Sequence, residues 1–447
     1  MQTQTVDYKY MNFVNLINFD LWDTKRYTSI NISSKYNIVE LSTCIKEESK
    51  KYKLSEEKEK EFGILGVNNK IGIFDAYTQK GKDINQAYKK MEVGWIAYNP
   101  YRINVGSIGI RLEEHKNEYI SPAYVVFSCL NNLLPDYLFL LFKTDRFNKV
   151  INESTTGSVR QNLTFDTLKK LQIPLPTIEE QKEIVKTYQS KIEKTKILEE
   201  QSNNFQIEIE TYFLEMLDLK PIDLKEKSKG LTTINYNELE RWDYFSSDVR
   251  IGLELKRSKF ELKKIGNSFL FAKRSFNKKQ YKFDTFKYIE IGAIDPSSGI
   301  IDTKEIETQK APSRATQIVK TGDLILGTTR PYLKKFAIVS DKFNENVCSS
   351  GFSIIESSSE YHLPYLHQFL KCSYGIEQLK NRMTGGLYPA ITEGELKEIK
   401  IPFPNVNTQI EIMHLVKNLE YTILNNKSEI EFLKSNAEKE FEETIFN

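Results

Sequence analysis

Two stretches of the chain, residues 178–217 and 406–445, contain neither glycine nor proline and are dense in Glu, Lys, Gln, Ile and Leu. In the second stretch, mostly apolar residues recur at alternating spacings of three and four, the pattern of a coiled-coil seam. These seam positions are Val416, Leu419, Ile423, Asn426, Ile430, Leu433 and Ala437. The first stretch repeats the pattern more weakly at Tyr188, Lys191, Thr195, Leu198, Ser202, Phe205, Ile209, Tyr212 and Met216. We therefore predict two long helices that pack on each other as an antiparallel coiled coil; separate helices, each docked on its own domain, remain the alternative.

A different pattern precedes each predicted helix. Short apolar runs such as 94–98 and 323–326 are separated by Gly, Pro and Asn, which is typical of β-strands joined by turns, and short helical segments lie between them. Each segment ends in a proline pair, at 173–176 and at 401–404. Because proline lacks an N–H and favours an extended predecessor, each pair should end a domain. The expected fold class is α+β.

The chain also repeats itself. An offset of 228 residues aligns its two halves without a gap from about 94 to 217. The matched pairs include Gly94 with Gly322, Arg102 with Arg330, Tyr137 with Tyr365, Gln181 with Gln409, and Phe213 with Phe441. Near the start the offset is 220, pairing Trp22-Asp23 with Trp242-Asp243, so the second copy is slightly longer. This match indicates a tandem duplication with diverged fronts.

The duplication predicts a domain plan with pseudo-two-fold symmetry. Two mixed α/β domains would cover residues 1–177 and 219–404, and they would be separated by helices at 178–218 and 405–447. At about 1.5 Å per residue, each helix would be roughly 60 Å long.

Composition and short motifs exclude several classes of protein. The chain has 63 basic and 61 acidic residues, a net charge of +2, which excludes a uniformly basic nucleic-acid coat. Four cysteines and four histidines show no zinc-site spacing, and neither a P-loop nor a G-x-S-x-G motif is present. Tyr98-Asn99-Pro100-Tyr101 only partly resembles an adenine-methyltransferase motif, and we interpret it as a turn. With no secretion signal or long apolar run, we expect a cytoplasmic protein without membrane contact.

One segment stands out by its local charge. Residues 256–287 hold 11 Lys or Arg against two acidic residues, interleaved with aromatic residues. Because duplex DNA is bound largely by neutralising phosphates, we predict DNA contact here, although a charge run can be only a solvated face. The candidate residues are Lys273, Arg274, Lys278 and Lys279.

Two glycine- or proline-containing loops recur at matched positions and carry side chains that can pair with base edges. In the first copy they offer Tyr98, Asn99, Tyr101, Arg102, Ser158, Arg160 and Gln161. In the second copy they offer Arg330, Tyr332, Lys334 and Tyr388. We predict these as further DNA-binding residues; the alternative is that the glycines only make tight turns. No catalytic residue and no metal ligand is predicted.

The tract from Gly157, Ser158 and Arg160-Gln161 through Leu163 to the 173–176 proline pair and Glu180-Gln181 resembles the signature of a known family. That family is the specificity subunit of type I restriction–modification systems. The second copy is a looser version, because Thr408 stands where the family prefers Glu and Asn405-Val406-Asn407 is atypical. With two copies, the resemblance covers nearly the whole chain.

The resemblance implies a non-catalytic DNA-binding subunit with two target-recognition domains. Each would read one half of a bipartite site in double-stranded DNA, and the helices would hold the two domains apart. It further implies two modification (methyltransferase) subunits that carry S-adenosylmethionine, and restriction (endonuclease/translocase) subunits that use ATP and magnesium. This chain itself would hold no cofactor. The alternatives are a methyltransferase fused to its recognition domain and a coiled-coil adaptor without DNA affinity.

Overall fold

The computed structural model describes residues 32–154, 162–222 and 254–446. The chain divides into two compact units. The first comprises Met1–Lys196 with Glu431–Asn447, and the second comprises Ile197–Ile430. The predicted positions Trp22-Asp23, Trp242-Asp243, Ser158, Arg160 and Gln161 lie outside the described residues.

In its described residues, the first unit is built from three sheets, short helices and half of a long helix. Its strands are β1 Ile38–Glu40, β2 Ile45–Glu47, β3 Lys51–Tyr52, β4 Glu61–Asn68, β5 Gly72–Lys80, β6 Tyr88–Lys90, β7 Ile96–Tyr98, β8 Ile108–Ile110, β9 Tyr119–Ile120, β10 Val125–Cys129 and β11 Gln172–Pro174. Its helices are α1 Pro135–Lys143, α2 Asp145–Ser154, α3 Phe165–Leu168 and the first half of the long α4, Ile178–Met216. The strand orders are β2-β10-β7-β8, β3-β6-β9-β4-β5 and β1-β11.

The second unit has matching elements. Its strands are β12 Leu262–Lys264, β13 Thr285–Ile289, β14 Ile294–Asp295, β15 Gly299–Ile300, β16 Lys304–Glu307, β17 Ala315–Ile318, β18 Leu324–Gly327, β19 Phe336–Ile338, β20 Val347–Ser349, β21 Phe352–Ile355 and β22 Lys400–Pro402. Its helices are α5 Ile265–Ser268, α6 Leu363–Lys371, α7 Ser373–Asn381, α8 Glu393–Lys397 and the first part of the long α9, Val406–Phe446. The strand orders are β19-β18-β21, β16-β13-β20-β17, β12-β22 and β14-β15.

Strand pairing confirms the duplication. In the first unit β7 pairs antiparallel with both β8 and β10, and β4 pairs parallel with β9. In the second unit β18 pairs antiparallel with both β19 and β21, and β13 pairs parallel with β20. The small β14–β15 hairpin lies between β13 and β16, whereas the matching β4 and β5 of the first unit are joined by a tight turn. The extra length predicted for the second copy therefore includes this hairpin.

Residues that the repeat keeps identical have the same structural role in each unit. The buried Tyr137 hydroxyl donates to the Pro174 carbonyl (2.9 Å), and the buried Tyr365 hydroxyl donates to the Pro402 carbonyl (2.7 Å). Because each proline carbonyl is thereby satisfied inside the core, the proline pair that ends each domain has a fixed position.

The matched glutamines fix the start of each long helix. The buried Gln181 amide donates to the Pro176 carbonyl (2.8 Å) and accepts from the Leu134 backbone N–H (2.8 Å). In the second unit, Gln409 donates to the Pro404 carbonyl (2.9 Å) and accepts from the His362 backbone N–H (2.8 Å). Each glutamine therefore joins a helix to the domain that precedes it.

The helix N-termini differ between the copies. Thr177 and Glu180 form a reciprocal capping box, in which the Glu180 carboxylate accepts from the Thr177 N–H (2.8 Å) and the Thr177 hydroxyl accepts from the Glu180 N–H (3.3 Å). In the second copy, the Asn405 side chain accepts from the Thr408 N–H (3.0 Å). Asparagine is a good N-cap, so the atypical sequence at this position still caps the helix.

Segments of the two long helices pack antiparallel within each unit. In the first unit, Tyr188 contacts Phe441 and Lys191 forms an ion pair with Glu440. In the second unit, the Asn426 side chain donates to the Ser202 hydroxyl (3.2 Å). The predicted seam residues are all buried or half-buried, which confirms the coiled coil.

The C-terminal ends of both helices also dock on a domain. In the second unit, the ring centres of Phe213 and Tyr365 are 5.5 Å apart. In the first unit, the ring centres of Phe441 and Tyr137 are 6.1 Å apart. The helices therefore make both kinds of contact that the sequence left open, with each other and with the domains.

Candidate nucleic-acid interface

The loop after β18 presents two cations from strained backbone. Arg330 (φ 48°) and Lys334 (φ 56°) adopt the left-handed conformation on either side of a single 3-10 turn, Pro331–Leu333. Non-glycine residues adopt this conformation at a cost, and such positions cluster at functional sites. The buried Pro331 anchors the turn.

The second predicted loop of this unit, residues 384–390, lies directly against the first. Thr384 and Ala390 exchange two backbone hydrogen bonds of 2.9 Å, and the Arg330 N–H donates to the Pro389 carbonyl (2.8 Å). The Arg330 guanidinium donates to the Leu387 carbonyl (3.2 Å) and stands 5.1 Å from the Tyr388 ring centre. The two loops predicted separately therefore form one surface, with Arg330 at its centre.

The first unit repeats one backbone contact of the second unit beside the loop that follows β7. The Leu163 N–H donates to the Pro100 carbonyl (3.0 Å), and the Ile391 N–H makes the equivalent bond to the Thr328 carbonyl (3.0 Å) in the second unit. The Asn99 side chain accepts from the Tyr101 N–H (3.0 Å) and thereby folds the turn. Tyr101 and Arg102 are exposed there, as expected of surface contacts.

Tyr98 has a different place from its neighbours. Its side chain is fully buried, and its hydroxyl donates to the Leu163 carbonyl (3.1 Å). Burial raises the pKa of this hydroxyl well above its usual value, so it stays protonated as a donor. Tyr98 thereby links the end of β7 to Leu163 inside the core. The prediction that it contacts DNA is corrected, because no part of its side chain reaches the surface.

The basic segment separates into exposed and structural cations. Lys273 and Lys279 are exposed. The ammonium group of the exposed Lys278 donates a hydrogen bond to the Ala311 carbonyl (2.7 Å). Arg274 forms an ion pair with Asp323, and the two side chains are only 19% and 3% exposed. The prediction that Arg274 contacts DNA is therefore corrected, since its guanidinium is committed to a buried carboxylate.

The aromatic residues of this segment mostly face inward. The rings of Phe276, Tyr281 and Phe286 pack on one another with centre-to-centre distances of 5.1–5.9 Å. Together with Tyr288 and Val347 they form a small core. The interleaving of lysines and aromatics in the sequence therefore results largely from a chain with one buried and one solvated side.

Three cysteines and one histidine of the described residues are buried in ways that do not suit nucleophilic chemistry. Burial raises the pKa of Cys129, Cys348 and Cys372 to about 12, so these thiols stay protonated at neutral pH. Burial also lowers the pKa of His367 to about 3, which keeps the ring neutral. Within residues 32–154, 162–222 and 254–446, no group of three or more His, Cys, Asp or Glu could hold a metal ion. No helix in this described part of the chain is long and apolar enough to cross a lipid bilayer.

Comparison with protein families decides the relationship. Residues 17–208 and 256–435 match the family model described as the type I restriction modification DNA specificity domain. The chain belongs to this family. It carries two of the specificity domains, and the two matches coincide with the two copies seen in the sequence. A search of curated proteins gives no match.

Matches to solved structures span almost the whole chain. One comes from work on complex assembly and conformational transition of the type I R-M system; it is 13% identical, has a TM-score of 0.55, and the match covers 92% of this chain and 97% of that chain. An HsdS subunit from Thermoanaerobacter tengcongensis is 14% identical, with a TM-score of 0.41 and coverage of 94% and 98%. A type I system S subunit from M. genitalium is 15% identical, with a TM-score of 0.49 and coverage of 94% and 98%.

Sequence reasoning missed part of the surface of the second specificity domain. Leu387 is 80% exposed and Leu333 is 47% exposed, both on the loops that carry Arg330. The predicted residues Tyr332 and Lys334 are half-buried there, whereas Tyr388 is 68% exposed. The repeat offered a signal, because the matched loop positions Val105 and Leu333 are both apolar. The structure shows that Val105 is also exposed (57%).

Proposed function

We propose that this chain is the DNA-specificity subunit of a type I restriction–modification complex, in which each specificity domain reads one half of a bipartite DNA site. The observation that carries the proposal is the repeated loop after the buried strand. Arg102 and Arg330 occupy matched positions in this loop, and the same backbone hydrogen bond ties the loop to Leu163 in one domain and to Ile391 in the other. Two such surfaces, similar in frame and different in side chains, are suited to reading two different half-sites.

The chemistry of the second domain supports direct base recognition. An arginine guanidinium is a planar donor that can pair with both acceptors of a guanine edge in the major groove. Here the Arg330 side chain is oriented by the Leu387 carbonyl and the Tyr388 ring. Holding the side chain in place lowers the entropy lost on binding. The exposed Lys273 and Lys279 can neutralise phosphates, which increases affinity without reading sequence.

The proposal extends to partners and cofactors. Two modification subunits would dock on the parts that the two copies share and would supply S-adenosylmethionine chemistry, and restriction subunits would supply ATP- and magnesium-dependent cleavage. This chain would be non-catalytic and would hold none of these cofactors. Because its substrate is chromosomal or incoming DNA, we expect it to act in the cytoplasm.

Base-resolution methylation mapping tests this proposal. Cells that carry the chain together with its modification subunit should methylate a bipartite motif, and cells with the modification subunit alone should not. The pure chain alone should transfer no methyl group. Methylation by the pure chain would instead favour a fused methyltransferase, and a motif that is unchanged when the chain is absent would contradict the proposal.

A further inference from the structure

The loop at residues 384–390 has an apolar tip. Leu387 is 80% exposed, Tyr388 is 68% exposed, and the nearby Leu333 is 47% exposed. A single exposed apolar side chain is ordinary on a protein surface. This group is unusual because it stands on the same two loops as Arg330 and Lys334, which makes the surface both apolar and cationic.

The tip is held rigidly. The paired hydrogen bonds between Thr384 and Ala390 close the loop, and Gly385 supplies a positive φ of 96° that other residues rarely adopt. Arg330 donates to the carbonyl of Leu387 itself. The Leu387 side chain is therefore presented to solvent from an ordered backbone, so that little loop entropy is lost when a ligand covers it.

We propose that Leu387 contacts the 5-methyl group of a thymine in the major groove of the half-site read by the second domain. The inference rests on the proposed function, because it assumes that DNA covers this surface. Charge complementarity supports that occupant, since the Arg330 guanidinium lies against the tip through its hydrogen bond to the Leu387 carbonyl and its contact with the Tyr388 ring. Thymine is the base that offers a methyl group on its groove edge, and apolar side chains contact it. Leu387 would thus distinguish a T·A pair from a C·G pair, beside whatever contact Arg330 makes.

The first copy carries a comparable residue. The 228-residue offset matches Leu387 with Val159, which lies outside the described residues. An apolar residue two positions after the loop glycine is therefore common to both copies, while its size differs. A difference in size is expected if the two domains read different bases.

Substituted DNA tests the proposal with a single methyl group. The chain assembled with its modification subunits is titrated with duplexes in which each thymine of the second half-site is replaced in turn by deoxyuridine, which lacks the 5-methyl group. One replacement should weaken binding of the unaltered complex roughly four-fold, the value expected for one buried carbon. The Leu387→Ala complex should bind the thymine duplex at least as weakly as the unaltered complex binds the deoxyuridine duplex. Its affinity should not change when that same thymine is replaced by deoxyuridine. Because the unaltered complex is itself a readout, the test does not depend on the folding of the variant.

A matched control is Leu112→Ala. Leu112 is 44% exposed and follows β8 of the first unit, at the end of that strand opposite to the loop between β7 and β8. This variant should keep both the affinity and the response to deoxyuridine.

Three results would overturn the inference. The first is a half-site of the second domain that contains no thymine. The second is an unaltered complex that loses no affinity on any deoxyuridine replacement. The third is a Leu387→Ala complex whose affinity still falls by the full amount on that replacement. Failure of Leu387→Ala to assemble with the modification subunits would also overturn it, by assigning the tip to a protein contact. The proposed function is judged separately, because it requires only that the unaltered complex prefers its own site over random DNA.

Discussion

Two neighbouring cations, Lys273 and Arg274, should behave in opposite ways when each is replaced by alanine. Lys273 is exposed, whereas Arg274 is paired with the buried Asp323 and lies 3.9 Å from Glu356. Removing one partner of a buried ion pair leaves an uncompensated charge, which typically costs 3–5 kcal/mol. Because the Arg274 side chain keeps some exposure, we expect Arg274→Ala to lower the free energy of local opening by about 3 kcal/mol. This corresponds to a rise of roughly a hundred-fold or more in the equilibrium constant for local opening.

Hydrogen exchange at individual backbone amides measures this loss of stability locally. A local measurement is needed because a chain with two compact units need not unfold in one step. The amides of β18, which follow Asp323 directly, should lose protection in Arg274→Ala and keep it in Lys273→Ala. The double variant R274A/D323N should regain part of the protection, because it no longer buries an unpaired charge. For DNA, Lys273→Ala should weaken binding to all duplexes and lower the salt slope by about one.

The effect of pH has a defined sign. Burial raises the pKa of Asp323, and the Lys320 N–H and Arg274 oppose that rise. Without Arg274 the folded-state pKa rises further, so the folded domain binds a proton more readily than the unfolded chain. The stability lost in Arg274→Ala is then largest at neutral pH and shrinks as the pH falls towards that pKa. If Arg274→Ala keeps β18 protected and weakens only DNA binding, Arg274 is a DNA contact and the structural assignment is wrong.

Three further predictions concern the loops, the proline anchors and catalysis. Arg330→Ala should weaken binding to the cognate site by about 1–3 kcal/mol and relax specificity at one position if the side chain reads a base, as measured by competition between duplexes; unchanged affinity would remove this loop from the interface. Tyr365→Phe and Tyr137→Phe should each lower the stability of their domain by about 1–2 kcal/mol, since each leaves a buried proline carbonyl without its donor. Hydrogen exchange should rise at β22 in Tyr365→Phe and at β11 in Tyr137→Phe, and unchanged protection in both variants would contradict this role. The isolated chain should bind no S-adenosylmethionine in calorimetry, and saturable binding would contradict the non-catalytic assignment.

The elements that could be predicted best were those with long-range regularity. The helix predicted at 178–217 is α4, Ile178–Met216, and the helix predicted at 406–445 is α9, Val406–Phe446. A heptad pattern over forty residues is hard to mistake, and the internal repeat supplied a second copy of every signal. The limits of the DNA-reading domains themselves stay a prediction.

The errors in the candidate site arose from partners distant in sequence. Arg274 looks like its neighbour Lys273 in the sequence, but its carboxylate partner is 49 residues further on. Tyr98 ends a strand next to an exposed turn, and only the hydrogen bond to the Leu163 carbonyl, 65 residues away, fixes it inside. Residue type and local charge predicted which loops carry candidate residues, while contacts between distant segments decided which loops meet and which side chains reach the surface.

The central claim, that the two copies read DNA independently, is tested most directly by exchanging one copy. Residues 219–404 are replaced by the matching segment of a relative that recognises a different motif, and methylation is mapped at base resolution in cells that carry the modification subunit. We predict that one half of the methylated motif changes and the other half stays the same. A change in both halves together, in a chimera that still methylates, would contradict the account.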